Sequence, residues 1–175
     1  MKFTLGWLRE HLDTKADIKV IESTLTNIGL EVESIEDRAD ELKPFTVAKI
    51  INVSKIITEA DKNGKKTIIF GNGGSAAIAS HFSVDLTKNA RVRCVNFNEP
   101  DLLTCFSNDF GYEKWVEKSI EYYGDEGDAV ILISAGGNSP NMINGAKKAK
   151  EKKFSKVIIL TGNDKNNKLS KLGDI

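Results

Sequence analysis

Thr67-Ile68-Ile69-Phe70-Gly71-Asn72-Gly73-Gly74-Ser75 is the segment from which the architecture of this chain follows. Its first four residues are typical of a buried strand, and a helical pattern begins at Ala76. Glycines between a strand and a helix let the backbone approach an anion, and the first free N–H groups of the helix then point at it. We expect Ser75 to add a hydroxyl as the N-cap residue. The segment therefore predicts a phosphate-binding loop; the alternative is a capped turn without a ligand.

A second segment follows the same logic. Val130-Ile131-Leu132-Ile133 is typical of a strand, and Ser134-Ala135-Gly136-Gly137-Asn138-Ser139-Pro140 comes directly after it. Ser139 suits an N-cap and Pro140 suits the first position of a helix. Two such loops at the carboxyl ends of parallel strands can face one crevice, where open α/β sheets usually bind their ligands. The pair of loops therefore predicts one phosphate site with donors from both.

Strands and helices alternate through the rest of the chain. Short apolar runs predict strands over 66–70, 92–97, 129–134 and 156–161. Stretches with helical character predict helices over 51–63, 75–88, 99–107, 111–123 and 139–153. This order predicts an α/β fold with a doubly wound parallel sheet, a flavodoxin-like sandwich covered by helices on both faces.

Residues 1–49 differ from the rest and predict a small N-terminal α+β appendage. Leu5, Leu8 and Leu12 lie at helical spacing, and a second amphipathic stretch runs from Val20 to Ile28. Gly29 follows that stretch as a helix C-cap residue would. The alternation over 30–35 predicts a half-buried strand, and the apolar pattern over 45–50 predicts another.

The composition excludes several classes of protein. The 175 residues include 25 Lys+Arg and 25 Asp+Glu, so a formal net charge of zero gives no general attraction to nucleic acid or to an anionic membrane. The apolar runs are too short to cross a bilayer or to form the core of a signal peptide. Cys94 and Cys105 lack metal-ligand spacing and predict free thiols. We expect a cytoplasmic protein with neither a nucleic-acid nor a membrane partner.

The paired loops resemble those of the sugar isomerase (SIS) domain and, within it, of the phosphoheptose isomerases. The matching residues are Gly71-Asn72-Gly73-Gly74-Ser75-Ala76-Ala77, His81-Phe82, Asn108-Asp109-Phe110-Gly111, Gly127-Asp128, Ile133-Ser134, Gly137-Asn138-Ser139 and Leu160-Thr161-Gly162. The resemblance implies conversion of a ketose phosphate such as D-sedoheptulose 7-phosphate into an aldose phosphate. It also implies a homo-oligomer, a tetramer in the family, whose sites use neighbouring subunits.

The same resemblance implies the residues that bind the substrate. Ser134 and Ser139 would hold the phosphate, and Asp109 would lie near the sugar. The full set that it implies is Asn72, Gly73, Gly74, Ser75, Asp109, Ser134, Gly137, Asn138 and Ser139.

His81 and Asp85 are four residues apart on the helix after the first loop, so they share a face. Taken alone, they are typical of a packed or solvated histidine and a solvated helix charge. The resemblance implies that Asp85 acts as the base that moves a proton between adjacent carbons through an enediolate, with His81 beside it. It implies no obligatory cofactor, although in some members this pair contributes to a zinc site.

Several positions depart from the family pattern. Asp85 stands where the family has glutamate, which shortens the reach by one methylene. Ala135 and Gly136 replace residues that usually carry hydroxyls, which removes two phosphate donors. The sequence ends at Ile175, where the family begins its last strand, so we expect the glutamine and histidine of the following helix to be missing. These departures predict turnover far below that of the family.

Residues 1–49 resemble the N-terminus of the bacterial phenylalanyl-tRNA synthetase β chain. The resemblance is carried by Met1–Leu5, Trp7-Leu8, Leu25–Glu33, Glu36–Arg38 and Leu42–Lys49, and it stops near Ile50. It predicts a fusion, with a synthetase-like segment over 1–49 and a C-terminally truncated SIS domain over 50–175. No aminoacylation chemistry lies in the matched part.

Three alternatives to an active isomerase remain. The first is a non-catalytic SIS module that binds a sugar phosphate or a protein partner. The second is a dinucleotide-binding domain, because Gly71, Gly73 and Ala76 fit G-x-G-x-x-[G/A]. That fingerprint also expects an acidic residue after the second strand, where Val95-Asn96-Phe97-Asn98 lies. The third is a synthetase fragment, which explains nothing after Ile50.

Overall fold

The computed structural model describes residues 4–36, 47–162 and 166–175. The chain divides into two compact units, Met1–Lys43 and Pro44–Ile175. The described part of the first unit contains two helices, α1 (Leu5–His11) and α2 (Ile18–Asn27). Thr4 caps α1 by accepting a hydrogen bond from the Trp7 N–H, and Asp17 caps α2 in the same way from Lys19. Both predicted helices of the appendage are therefore present.

Neither strand predicted for the appendage is found. Residues 30–35 have no regular structure, because the described part of this unit offers no second strand with which they could pair. The predicted strand over 45–50 was also wrong from Val47 onward, and residues 45 and 46 lie outside the described part. Helix α3 (Val47–Lys62) begins there. Val53, Ile56 and Ile57 recur at helical spacing and pack on the sheet, so the apolar residues of this segment follow the period of a helix rather than that of a strand.

The second unit contains the predicted alternation of strands and helices. After α3 come β1 (Thr67–Gly71), α4 (Gly74–Lys88), β2 (Cys94–Asn96), α5 (Pro100–Phe110), a 3₁₀ turn (Tyr112–Lys114), α6 (Trp115–Tyr123), β3 (Ala129–Ser134), α7 (Pro140–Glu151), β4 (Lys156–Thr161) and a 3₁₀ turn (Ser170–Leu172). None of the described helices is both long enough and apolar enough to cross a membrane.

The four strands form one parallel sheet in the order β2-β1-β3-β4. The chain leaves β1 toward one edge and leaves β3 toward the other, which is the strand order of a doubly wound sheet. Its switch point lies between β1 and β3. The predicted fold class is therefore confirmed.

Helices cover both faces of the sheet. One layer buries Phe70, Leu132 and Val157 against Trp115 of α6 and Met142 of α7. On the opposite face, Ile69, Ile131 and Ile158 pack against residues of α3 and α4, among them Ile57 and Ala79. Successive side chains of a strand point to opposite faces, so strands covered on both faces must be apolar throughout. All residues of β1 and β3 are buried accordingly.

Candidate functional site

The loops after β1 and β3 emerge side by side from one edge of the sheet. The two strands are paired in parallel, with Gly71 of β1 opposite Ile133 of β3. Their carboxyl ends therefore lie together at the switch point, which is where doubly wound domains place a ligand. This pairing supports the expectation that both loops face one crevice.

The first loop turns sharply into α4. A Cβ atom at Gly71 would lie 2.3 Å from the carbonyl oxygen of Ser75, so only glycine fits there. Gly73 has φ +53° and is the N-cap residue. Ser75 is therefore not the N-cap residue that the sequence suggested, but lies in the first turn, where its N–H donates to the Asn72 carbonyl (3.0 Å). The helix begins one residue earlier than predicted because glycine at 73 adopts the turn conformation that serine would resist.

The second loop brings two hydroxyl groups together. Ser134 ends β3 and is buried, and its Oγ lies 3.4 Å from Oγ of Ser139. Ser139 is the N-cap residue of α7, as predicted, with Pro140 at the first helical position. Its hydroxyl caps no N–H of the helix. The side chain thus remains available for a ligand.

Gly137 and Asn138 shape this loop. Gly137 has φ +59°, and a Cβ atom there would lie 2.1 Å from Oδ1 of Asn167, which is itself buried. Asn138 donates from Nδ2 to the Gly136 carbonyl (2.9 Å) and accepts the Lys168 N–H at Oδ1 (3.1 Å). Its side chain therefore closes the loop and ties it to the segment after β4.

Two residues that sequence reasoning missed, Asn141 and Tyr112, hold the side chain of Asn72 in the first loop. Nδ2 of Asn72 donates to Oδ1 of Asn141 (3.0 Å), and Nδ2 of Asn141 donates back to Oδ1 of Asn72 (2.8 Å). The hydroxyl of Tyr112 also donates to Oδ1 of Asn72 (3.1 Å). Asn141 follows Pro140 at the start of α7, so the two amides link the first loop to the helix that directly follows the second loop. A polar residue in the first turn of α7 was the only sequence signal for it.

A further polar cluster fixes the start of α4 to the end of β2. Nδ2 of Asn98 donates to the Ala76 carbonyl (2.9 Å) and to Oγ of Ser80 (3.1 Å). Oγ of Ser80 donates in turn to Oδ1 of Asn96 (3.2 Å), and Nδ2 of Asn96 donates to the Ile69 carbonyl (2.9 Å). These asparagines occupy the positions where a dinucleotide fold expects an acidic residue. They hold α4 in place instead.

His81 and Asp85 lie together on the outer face of α4. Nε2 of His81 is 3.5 Å from Oδ2 of Asp85, and Nδ2 of Asn89 donates to the other carboxylate oxygen (3.0 Å). The His81 side chain is 81% exposed and that of Asp85 47% exposed. No described contact joins this pair to either loop. A separation of 3.5 Å suits two ligands of one tetrahedral zinc ion, for which about 3.4 Å is expected.

The described residues contain no group of three side chains suited to hold a metal ion. His81 and Asp85 could therefore supply half of a zinc site, and the other ligands would have to come from outside the part of the chain that the structure describes. Such an ion would polarise the carbonyl oxygen of a bound substrate.

Asp109 lies on α5 and is exposed. Its carboxylate accepts from the Cys105 thiol (3.6 Å) and from Nδ2 of Asn108 (3.0 Å). The negative charge of Asp109 raises the pKa of the exposed Cys105 thiol, with a smaller contribution from Asp101. Burial raises the pKa of the other thiol, Cys94, to about 12. The described hydrogen bonds of the Asp109 carboxylate are thus made to its neighbours on α5, Cys105 and Asn108, and not to either loop.

Asp109→Asn is expected to accelerate alkylation of Cys105 by iodoacetamide at pH 8. Removal of the carboxylate lowers the pKa of the thiol and increases the fraction of reactive thiolate. Mass spectrometry of both cysteines measures the rates, with the half-buried Cys94 as the slow internal reference. Asp101→Asn, the matched control, should have a smaller effect. An unchanged Cys105 rate in Asp109→Asn would show that this carboxylate does not control the thiol.

A doubly wound sheet with two glycine- and serine-containing loops at its switch point is typical of α/β domains that bind phosphate groups. The model of the SIS domain family matches residues 32–162, so this chain belongs to that family, as its motifs indicated.

Within the SIS family, the chain is similar in sequence and structure to several phosphoheptose isomerases. The chain is 40% identical over 125 residues to the phosphoheptose isomerase of Glaesserella parasuis serovar 5. This alignment covers 69% of this chain and 64% of the relative. It is 34% identical over 163 residues to that of Cytophaga hutchinsonii, covering 89% of this chain and 83% of the relative. Phosphoheptose isomerase from Neisseria gonorrhoeae has a similar structure, with TM-score 0.70, 28% identity and coverage of 87% and 78%. The chain thus spans less than two thirds of the Glaesserella relative.

Proposed function

We propose that the second unit binds a sugar phosphate in the crevice between the two loops and isomerises it between ketose and aldose. The observation that carries this proposal is the link from the first loop to the first turn of α7, which directly follows the second loop, through the hydrogen bonds of 2.8 and 3.0 Å between Asn72 and Asn141. One phosphate group can therefore contact donors from both. Relatives named phosphoheptose isomerase support a substrate such as sedoheptulose 7-phosphate.

Neutral donors would hold the phosphate. Neither loop, over 71–75 or 134–139, contains a charged side chain. The N-termini of α4 and α7 instead supply the positive ends of two helix dipoles. Within the described chain, the N–H groups of Gly73 and Gly74 donate to no other residue. The second loop adds the hydroxyls of its first and last residues, Ser134 and Ser139. This arrangement suits a compact dianion.

Asp85 would serve as the base of the isomerisation. It would take a proton from the carbon that bears a hydroxyl next to the substrate carbonyl, leaving an enediolate. The same proton would then return to the former carbonyl carbon, while a hydroxyl proton would move between the two oxygens. No atom is gained or lost. Nε2 of His81, 3.5 Å from the carboxylate, would orient it.

A binding module without turnover is the second candidate. The exposure of Asp85 favours it, because solvent reaches this carboxylate, whereas catalytic sites usually exclude water from their reacting groups. Both candidate functions include phosphate binding at the loops. They differ only in whether His81 and Asp85 on α4 take part in catalysis.

Assembly into an oligomer would cover His81 and Asp85 and so exclude water from the proposed base. We propose a homo-oligomer, a tetramer as in the family, in which a second copy covers the outer face of α4. Ile78 and Val84, both exposed, lie on this helix with His81 and Asp85. We propose further that the protein works in the cytoplasm, and that His81 and Asp85 would be the residues that hold a zinc ion. In this proposal residues 1–49 form a separate synthetase-like segment and all of the sugar-phosphate chemistry belongs to residues 50–175.

Calorimetry on the whole chain tests the binding site. We expect sedoheptulose 7-phosphate to bind and NAD to give no heat. Ser139→Ala should weaken sugar-phosphate binding by about tenfold or more, the effect of one hydrogen bond to a charged group. Ser23→Ala, at an exposed serine of the first unit, is the control and should bind as the wild type does. Binding of NAD but not of the sugar phosphate would contradict the proposal.

A turnover assay then separates the two candidates. If the chain is an isomerase, Asp85→Asn should lower kcat by at least about a hundredfold while the Kd changes little, because it removes the base but keeps the shape of the side chain. Glu126→Gln, at an exposed carboxylate distant in sequence, is the control. Binding without measurable turnover by the wild type would favour the non-catalytic module.

A further inference from the structure

The amide of Asn72 is held by two other side chains. Asn72 and Asn141 exchange a reciprocal pair of N–H···O bonds of 3.0 and 2.8 Å, and the Tyr112 hydroxyl adds a third bond of 3.1 Å at the Asn72 oxygen. Asn141 is almost fully buried, and the side-chain hydrogen bonds that the structure describes for it are both made to Asn72. Asn72 lies between two glycines of the first loop, where its own backbone offers little restraint.

The hydrogen-bonding capacity of Asn72 is nearly filled by these partners. A carboxamide has an oxygen with two lone pairs and a nitrogen with two protons. Asn141 and Tyr112 donate to Oδ1 and occupy both lone pairs. One proton of Nδ2 goes to Asn141. A single N–H therefore remains, so Asn72 can act toward a ligand only as a donor.

Tyr112 decides which way the amide pair faces. If both amides turned over together, their reciprocal bonds would survive, because each amide offers one donor and one acceptor on the shared side. The rotated Asn72 would then present its nitrogen to Tyr112. A phenolic O–H is a good donor, whereas its oxygen shares electron density with the ring and accepts weakly. Donation from Tyr112 to Oδ1 therefore favours the orientation with a free N–H.

We propose that Tyr112 and Asn141 are positioning residues that turn Asn72 into a one-proton donor aimed at an oxygen of the bound sugar phosphate. The inference rests on the proposed function for its ligand but not for its geometry. Tyr112 comes from the turn between α5 and α6, so it couples that turn to the first loop. A ligand oxygen with a free lone pair, from a phosphate, carbonyl or hydroxyl group, satisfies this donor.

Tyr112→Phe is the direct test, because it removes one hydroxyl and keeps the ring. We expect KM and Kd for sedoheptulose 7-phosphate to rise about three- to tenfold, with kcat within about twofold, since one neutral hydrogen bond orients the donor. Tyr123→Phe, at another exposed tyrosine, is the matched control and should change neither. Asn141→Ala should have a larger effect on Kd. Wild-type affinity in Tyr112→Phe would overturn the inference.

NMR of the Asn72 side-chain amide keeps this test independent of the ligand. In the unliganded wild type, the proton bonded to Asn141 should exchange slowly with solvent and the other should exchange quickly. Tyr112→Phe should shift both proton resonances and accelerate the slow one, while Tyr123→Phe leaves them unchanged. Identical spectra in all three proteins would overturn the positioning role. Should the wild type bind no sugar phosphate, the proposed function falls, and these spectra alone decide the geometry.

Discussion

Gly71→Ala is expected to abolish sugar-phosphate binding and to lower the free energy of unfolding by about 3 kcal/mol, the upper part of the usual range for overpacking. A Cβ atom at this position would lie 2.3 Å from the carbonyl oxygen of Ser75 and 2.8 Å from the amide nitrogen of Ala76. Both are backbone atoms, so no change of rotamer relieves the clash. The first turn of α4 must move, and the N–H groups proposed to hold the phosphate move with it.

Gly74→Ala is the matched control for stability. Apart from the adjacent residues and the backbone of α4 itself, no atom of the described residues lies within 4 Å of the added Cβ, and the backbone there is not left-handed. We expect its free energy of unfolding to stay within about 0.5 kcal/mol of the wild type. Urea denaturation followed by circular dichroism measures both variants, and calorimetry measures binding by Gly71→Ala. A Gly71→Ala protein that unfolds at the wild-type urea concentration and binds normally would show that the loop tolerates a side chain.

Sequence patterns predicted the sheet and its two loops because their signals are local. Each strand is a short apolar run, and each loop begins within a residue of a strand's end, as in Phe70-Gly71 and Ile133-Ser134. The parallel order follows from the helix between successive strands. The strand predicted over 30–35 failed for a related reason, since a strand needs a partner and the described part of the first unit has none.

The hydrogen bonds that hold Asn72 could not be predicted in the same way. Asn72 and Asn141 are 69 residues apart in sequence and meet only because β1 and β3 are neighbours in the sheet. Tyr112 reaches Asn72 across 40 residues from a turn that carries no motif. His81 and Asp85 show the opposite case: their spacing predicted a shared helix face, which is observed, but could not tell how exposed that face is.

The second large prediction concerns the amino ends of β1 and β3, at the opposite end of these strands from the two loops. Asp128→Ala is expected to lower the free energy of unfolding by about 4 kcal/mol, the usual cost of breaking a buried ion pair. The Asp128 side chain is 1% exposed and lies 2.6 Å from Nζ of Lys66. Its oxygens also accept the backbone N–H groups of Lys66 (3.0 Å) and Asp125 (2.8 Å). Its removal leaves a partly buried ammonium group with one carboxylate fewer and two N–H groups without their acceptor.

Asp125→Ala tests whether burial rather than charge causes this loss. Asp125 also binds Nζ of Lys66 (2.7 Å), but its side chain is 71% exposed, so we expect a cost below about 1 kcal/mol. Equal losses in the two variants, measured by urea denaturation, would contradict the argument. Lys66 and Asp128 directly precede β1 and β3, whose other ends carry the two loops. Asp128→Ala should therefore weaken the fold while the protein that remains folded binds sugar phosphate normally, whereas Gly71→Ala should lose binding even where it stays folded.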